Sequence, residues 1–313
     1  MLSRARTIGH HIPKLLTHAL WLGSLIALWP ASVAHAYCQT AACDGKNTAW
    51  QLCTPAQSGD CGTALWWGNQ CVGFTLQKDA SSQVSLSDAQ AVFEAAFAEW
   101  SGADCGGGAH PSISVEYQGP VNCDKQEYNT ERGNANIIMF RDETWPYSGT
   151  ANILALTTVT YNKETAEIYD ADMEINSANT KGLTIGDSNV EFDLLSIATH
   201  EAGHFLGIAH SPIADATMVA DYKFGTTSLR DLAQDDIDGI CASYPPGQPK
   251  SVGCDPEPRH GFSELCGDDQ PPPDANQGCC SVAPGTTDQS GGVGLIAAAL
   301  GFIAAASRKK RKR

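Results

Sequence analysis

Three of the nine histidines in this 313-residue chain fall in one short segment, Thr199–His210, which reads THEAGHFLGIAH. His200 and His204 are four residues apart, a spacing that puts both side chains on one face of a helix. Two imidazoles so placed can share one metal ion, and the neighbouring Glu201 can reach a water on that metal. Gly207 stands where such a helix has to stop, because glycine takes the left-handed conformation that turns a chain sharply. The turn brings His210 back as a third ligand. Three nitrogens and one open position are the donor set of a catalytic zinc site. Zinc lowers the pKa of its water to about 7. Glu201 then acts as general base, taking a proton as water attacks a carbonyl and passing it to the leaving amine. The competing reading is a solvated helix that happens to carry histidines. It accounts for HExxH but not for the added glycine and third histidine.

The motif needs a helix, and residues 193–206 are expected to form it. Other elements follow from pattern. Residues from Trp66 through 71–76 read as a strand, as do 112–117, 135–140, 153–160 and 167–175. Ser87 is a plausible N-cap with Gln90 as its capping-box partner. Val92, Phe93, Ala96, Phe97 and Trp100 then recur at helical spacing, which predicts an amphipathic helix over 88–101 with its aromatics in the core. Leu232–Tyr244 reads as a last helix before Pro245 and Pro246.

Residues 1–36 have a basic start, an apolar stretch and the cleavage-like Ala34-His35-Ala36, the pattern of a secretory signal. All 12 cysteines follow it, and export with an even count points to disulfides. Cys105 and Cys123 can close a local loop, although pairing is not readable from sequence. The formal net charge is −15 even with both termini basic, so nucleic acid is not an expected partner. Residues 245–290 turn rich in Pro, Gly, Asp and Gln, as a locally stapled linker or stalk would be. Val293–Ala306 is apolar but short of the roughly 20 residues that span a bilayer, and RKKRKR follows it. With Cys279-Cys280-Ser281 before it, this end resembles the myxococcal-type C-terminal sorting tails; a plain membrane anchor, a transmembrane helix, is the simpler reading.

The motif residues resemble the metzincin zinc endopeptidases, and among them the matrixins. Ser211 follows the third histidine, Met218 sits where the family has its Met-turn, and Tyr222 matches the tyrosine that walls the specificity pocket. Ala220 replaces the proline usual two residues before that tyrosine. Leu232–Ile240 resembles the matrixin C-terminal helix, and Ile153-Leu154-Ala155 resembles the edge strand that binds extended substrate. The resemblance covers about residues 66–245. It implies an α+β metzincin fold: a twisted, mostly parallel five-stranded sheet, two long helices, a cleft, and a small C-terminal lobe with one helix. It also implies cleavage of internal bonds in protein or peptide substrates.

Two departures stand out. There is no histidine between His110 and His200, so the structural zinc of matrix metalloproteases is expected to be missing. The cysteine-switch motif of their propeptides is absent too. Asp170, Asp172 and Glu174 alternate along a strand, so they share one face and can bind calcium or be a polar sheet surface. The resulting organisation is a signal (1–36), a Cys-rich segment (37–65), a zinc peptidase domain (66–246), a linker (247–290) and a short apolar-plus-basic tail (291–313). The expected protein is an exported, monomeric zinc endopeptidase, free or attached to a membrane or cell surface. Alternatives are a surface adhesion module that retains zinc and a zinc amidase acting on cell-wall peptides.

Overall fold

Short strands come first, then a larger sheet whose inner strands are buried. The computed structural model describes residues 37–42, 49–53, 62–147, 152–247, 255–271, 293–296 and 303–304. The expected signal and Cys43, Cys61, Cys254, Cys279 and Cys280 lie outside the described residues. Strand β1 (Cys38–Ala42) pairs antiparallel with β2 (Ala49–Cys53) and with β3 (Thr63–Ala64). The chain bends between β4 (Trp66–Trp67) and β5 (Cys71–Gln77), so the single strand expected there is two strands with different neighbours.

Helix α1 spans Leu86–Ser101. Its N-cap is Ser85, not the expected Ser87: the Ser85 hydroxyl accepts from the Asp88 amide at 3.2 Å. The helix therefore starts two residues sooner than expected, but its buried face is the expected one, including Val92, Phe93, Phe97 and Trp100. β5 lies between β6 (Ser114–Val121) and β7 (Ile137–Phe140), parallel to both. After β8 (Ala155–Asn162) comes β9 (Glu167–Ile175), parallel to β7 and antiparallel to β8. The order β6-β5-β7-β9-β8 is mostly parallel, as expected, with β8 antiparallel to β9; β4 along β9 and residues 293–296 along β8 bring the sheet to seven strands where five were expected. Strands β10 (Leu183–Thr184) and β11 (Phe192–Asp193) then lead into helix α2 (Leu194–Phe205). Strand β12 (Asp221–Tyr222) and helix α3 (Gln234–Ser243) complete the domain.

Apolar burial holds α1 and α2 on one face of the sheet. Phe97 is the hinge of that core, with its ring 4.9 Å from Phe74 of β5 and 5.0 Å from Phe205 of α2. All three rings are buried, and aromatic pairs of this kind add stabilisation beyond the area they remove from water. A smaller cluster of Val121, Cys123, Ala135, Ile137, Met139 and Cys266 forms separately.

Two disulfides whose partners are both described are long-range. Cys105 joins Cys241 and Cys123 joins Cys266, so the local Cys105–Cys123 loop does not form. Residues 255–271 are not stapled only to themselves. They pack on the domain through Cys266, a bridge between Asn134 and Phe262, and a reciprocal pair of hydrogen bonds in which the Gly133 amide donates to Gln270 Oε1 and Gln270 Nε2 donates to the Gly133 carbonyl.

The expected transmembrane helix is not seen. No described helix is long and apolar enough to cross a membrane. The described parts of the tail are strands instead: β13 (Val293–Ile296) antiparallel to β8 and β14 (Ile303–Ala304) parallel to β12. An edge strand has open backbone donors and acceptors, and a short apolar segment satisfies its own by pairing there.

Candidate metal centre

Helix α2 is capped by Asp193, whose carboxylate accepts from the Ser196 amide at 3.0 Å and is gripped by Arg230. From Ser196 to Phe205 every residue is buried. A helix this enclosed is not the solvated face of the competing reading, and its polar side chains need partners inside the protein.

His200, His204 and His210 converge. One ligand atom from each lies within 4.8 Å of the other two, and the Nε2 atoms of His204 and His210 are 3.2 Å apart. The opposite ring nitrogens are fixed by backbone: His200 Nδ1 is 2.7 Å from the Thr217 carbonyl, and His204 Nδ1 is 2.8 Å from the Ile208 carbonyl. Each Nδ1 therefore donates, which leaves the Nε2 lone pair for a metal. Burial, reinforced by the neighbouring imidazoles, holds His200 and His204 well below the usual histidine range, and burial takes His210 down to about 4. All three are neutral at pH 7, as ligands must be.

Two glycines make the geometry possible. Gly207 adopts φ +86°, and a Cβ there would lie 2.7 Å from the Leu65 carbonyl oxygen. Gly203, inside the motif, has no room for a side chain. Its place is taken by Met218 and Trp100, whose ring carbon would sit 2.6 Å from an added Cβ. Met218 is fully buried against the helix at Gly203. Its turn is held by Asp236 of α3, which accepts from the Thr217 amide at 2.7 Å and the Met218 amide at 3.1 Å.

Glu201 is fully buried, and burial pushes its carboxyl up to about 8. Oε2 accepts from the Thr157 hydroxyl at 2.5 Å, while Oε1 has no partner among the described residues. A buried, unpartnered carboxylate oxygen beside three neutral imidazoles suits a dication and its water, so the residues present fit zinc. Thr157 was not legible in sequence. It sits on β8 at a strand position with no motif of its own.

Tyr222 is buried, with its hydroxyl accepting from the Asp193 amide at 2.8 Å and donating to the Thr226 carbonyl at 2.9 Å. It lies on β12, close in sequence to the Met-turn. Ile153, Leu154 and Ala155 lead into β8; the Ile153 and Leu154 carbonyls accept from Asn176.

The three acidic residues of β9 separate. Glu174 is ion-paired to Arg141 at 2.5 Å and bonded to Tyr147. Asp172 accepts from the Ile137 and Glu127 amides at 2.8 and 3.1 Å. Asp170 is 1% exposed with both oxygens unpartnered among the described residues. Across the strand pair it faces Thr160, and Asp172 faces Thr158. Both of those hydroxyl oxygens are also unpartnered among the described residues. Cys38, whose carbonyl accepts from the Ala209 amide, is disulfide-bonded.

Comparison with known proteins agrees with this geometry. The matrixin peptidase family model matches residues 66–245, more than half of the chain. Human neutrophil collagenase is 41% identical over 78 residues, covering 22% of this chain and 17% of that protein. Rabbit (Oryctolagus cuniculus) interstitial collagenase is 44% identical over 66 residues, or 21% of this chain and 14% of its own. Metalloendoproteinase 4-MMP of Arabidopsis thaliana is 26% identical over 172 residues, or 54% and 43%. The chain thus spans less than half the length of these relatives. Fold, site and family model together define a metal-dependent peptidase domain. The chain belongs to the matrixin family.

Proposed function

We propose that this protein is an exported zinc endopeptidase in which Glu201 is the general base. The observation that carries the reading is the unpartnered Glu201 Oε1 beside three neutral, converging imidazoles. His200, His204 and His210 would hold zinc through Nε2, and zinc would supply a Lewis acid for the substrate carbonyl and an acidic water. Glu201 Oε1 takes the proton from the attacking water and returns it to the leaving nitrogen. Thr157 keeps Oε2 occupied, so one oxygen is left to carry the proton. An extended peptide would add along the β8 side near Ile153–Ala155, with Tyr222 walling the pocket for one side chain. The signal-like residues 1–36 and the disulfides support export. Human neutrophil collagenase suggests protein substrates by its name.

The decisive experiment assays the oxidatively folded protein on denatured protein and a quenched peptide library, with Glu201→Ala alongside and zinc content measured for both. Wild type is expected to cleave internal bonds. The zinc-loaded variant should lose about 10²- to 10⁴-fold in kcat, the usual worth of a positioned acid–base group. One zinc in each protein and no cleavage by either would favour a binding module. Release of wall peptides without internal cleavage would favour the amidase.

A second cation belongs to the same proposal. Calcium would bind at Asp170, supported by its two unpartnered oxygens and the Thr158 and Thr160 hydroxyls on the same face. Asp172 flanks the site, and Glu174 is committed to Arg141. Calcium should raise the Tm of wild type and leave Asp170→Asn unmoved; equal shifts in both would remove the site.

A further inference from the structure

The loop that carries His210 is a β-partner of strand β1, which precedes the family-matched residues. The Thr40 amide donates to the Gly207 carbonyl at 2.9 Å, the Ala209 amide donates to the Cys38 carbonyl at 3.0 Å, and Gln39 bridges Ile208 between them. These loop residues do the work of the site. Gly207 makes the turn, Ile208 supplies the carbonyl that orients His204, and Ala209 precedes His210.

We propose that β1 is a positioning element of the metal centre, fixing the His204 outer-shell carbonyl and the His210 backbone; the inference rests on the zinc reading of the site. The first support is capping. Carbonyls at the end of a buried helix need donors from outside it. Here the Phe205 carbonyl accepts from the Trp67 indole at 2.8 Å and the Leu206 carbonyl from the Tyr244 hydroxyl at 2.9 Å. The Thr40 amide does the same for Gly207 and completes the set. The second is anchorage. Gln39 donates to the Ser243 hydroxyl of α3 at 2.5 Å, the Leu65 amide donates to the Thr40 carbonyl at 2.7 Å, and Cys38 is disulfide-bonded. Cys38, Thr40 and Ala41 are buried, so β1 is part of the wall and not a loose arm. The third is a parallel within the site. The carbonyl that orients His200 belongs to Thr217, and Asp236 holds that residue. The carbonyl that orients His204 has β1 in the corresponding role.

Thr40→Pro deletes the amide that bonds Gly207. The test measures zinc affinity by competition with a chromogenic chelator, with Tm recorded for each protein. Zinc binding is expected to weaken about 10- to 100-fold, as when an outer-shell partner is lost. Val121→Ala, in the smaller core cluster, should lower Tm and leave zinc affinity within about twofold. Gln39→Ala, which keeps every backbone bond, serves if the proline variant does not fold; it should weaken zinc by about threefold or more. Zinc affinity unchanged in the folded β1 variant, with Tm lowered as in Val121→Ala, would overturn the proposal. An affinity loss in a protein that cleaves no peptide would sink the endopeptidase reading and leave the role of β1 standing.

Discussion

Asp170 and Glu201 are both buried carboxyls with unpartnered oxygens, and the two differ in what surrounds them. Glu201 stands beside neutral imidazoles. Asp170 stands beside Asp172, and burial together with that neighbour raises it well above the usual carboxylate range. A group raised in the folded state keeps a proton that the unfolded chain gives up near pH 4. Its stabilising contribution is therefore full below that pH and is lost as pH rises through the folded pKa. Without added cation, the Tm of wild type is expected to fall between pH 4 and neutrality through this group. Asp170→Asn should make that slope shallower, leaving the part that the raised Glu201 contributes, and calcium should make it shallower in wild type by favouring the charged form. A slope in Asp170→Asn equal to that of wild type would assign it elsewhere. At this scale the sequence was clear about ligands and silent about partners. HExxHxxGxxH names its four polar residues, because the helical repeat fixes their spacing. Thr157 and Asp236 come from other strands and helices, and nothing local marks them.

At the scale of elements, α2 is held at both ends and underneath. Arg230 and Asp193 fix its start, Trp67, Tyr244 and Thr40 donate to the carbonyls at and just past its end, and Met218 lies against Gly203. Gly203→Ala pushes a methyl group into Met218 and Trp100. The expected cost is about 1 to 3 kcal/mol of stability, measured by denaturant unfolding, with a larger proportional loss in zinc affinity than in fold. A neutral Gly203→Ala would show that the Met-turn relaxes freely. Helix α3 is tied to the loop after α1 by Cys105–Cys241, which closes a long stretch of chain. Removing that bond by a double change to serine should cost about 2 to 5 kcal/mol. Because α3 also carries Asp236, activity should be lost at lower denaturant concentration in the same variant. The α1 start was misplaced in sequence because two serines, Ser85 and Ser87, both satisfy the N-cap rule; the one whose backbone is extended wins.

At the scale of the molecule, residues 255–271 are bound to the domain by side chains and by Cys123–Cys266. If a specific protease site is inserted between Gly247 and Asp255, the cut protein should run as one species without reductant and as two with it. Two species without reductant would mean that the disulfide does not form. Composition reads this stretch as a stalk because Pro, Gly and Asp are what an unpacked segment contains; the packing comes from a cysteine partner 143 residues away.

The sequence alone marked the three histidines that converge, the glutamate beside them, the helix that carries His200, Glu201 and His204, and the mostly parallel sheet. Each of these is written in short-range spacing, where helical and strand periodicities leave little choice. Tertiary structure decided the rest: which cysteines pair, which β9 carboxylate is left without a donor, how the apolar tail meets the edges of β8 and β12, and that β1 pairs with the loop that carries His210. Those outcomes depend on which distant segments meet and on which buried polar atoms then find a partner, and no local pattern encodes that.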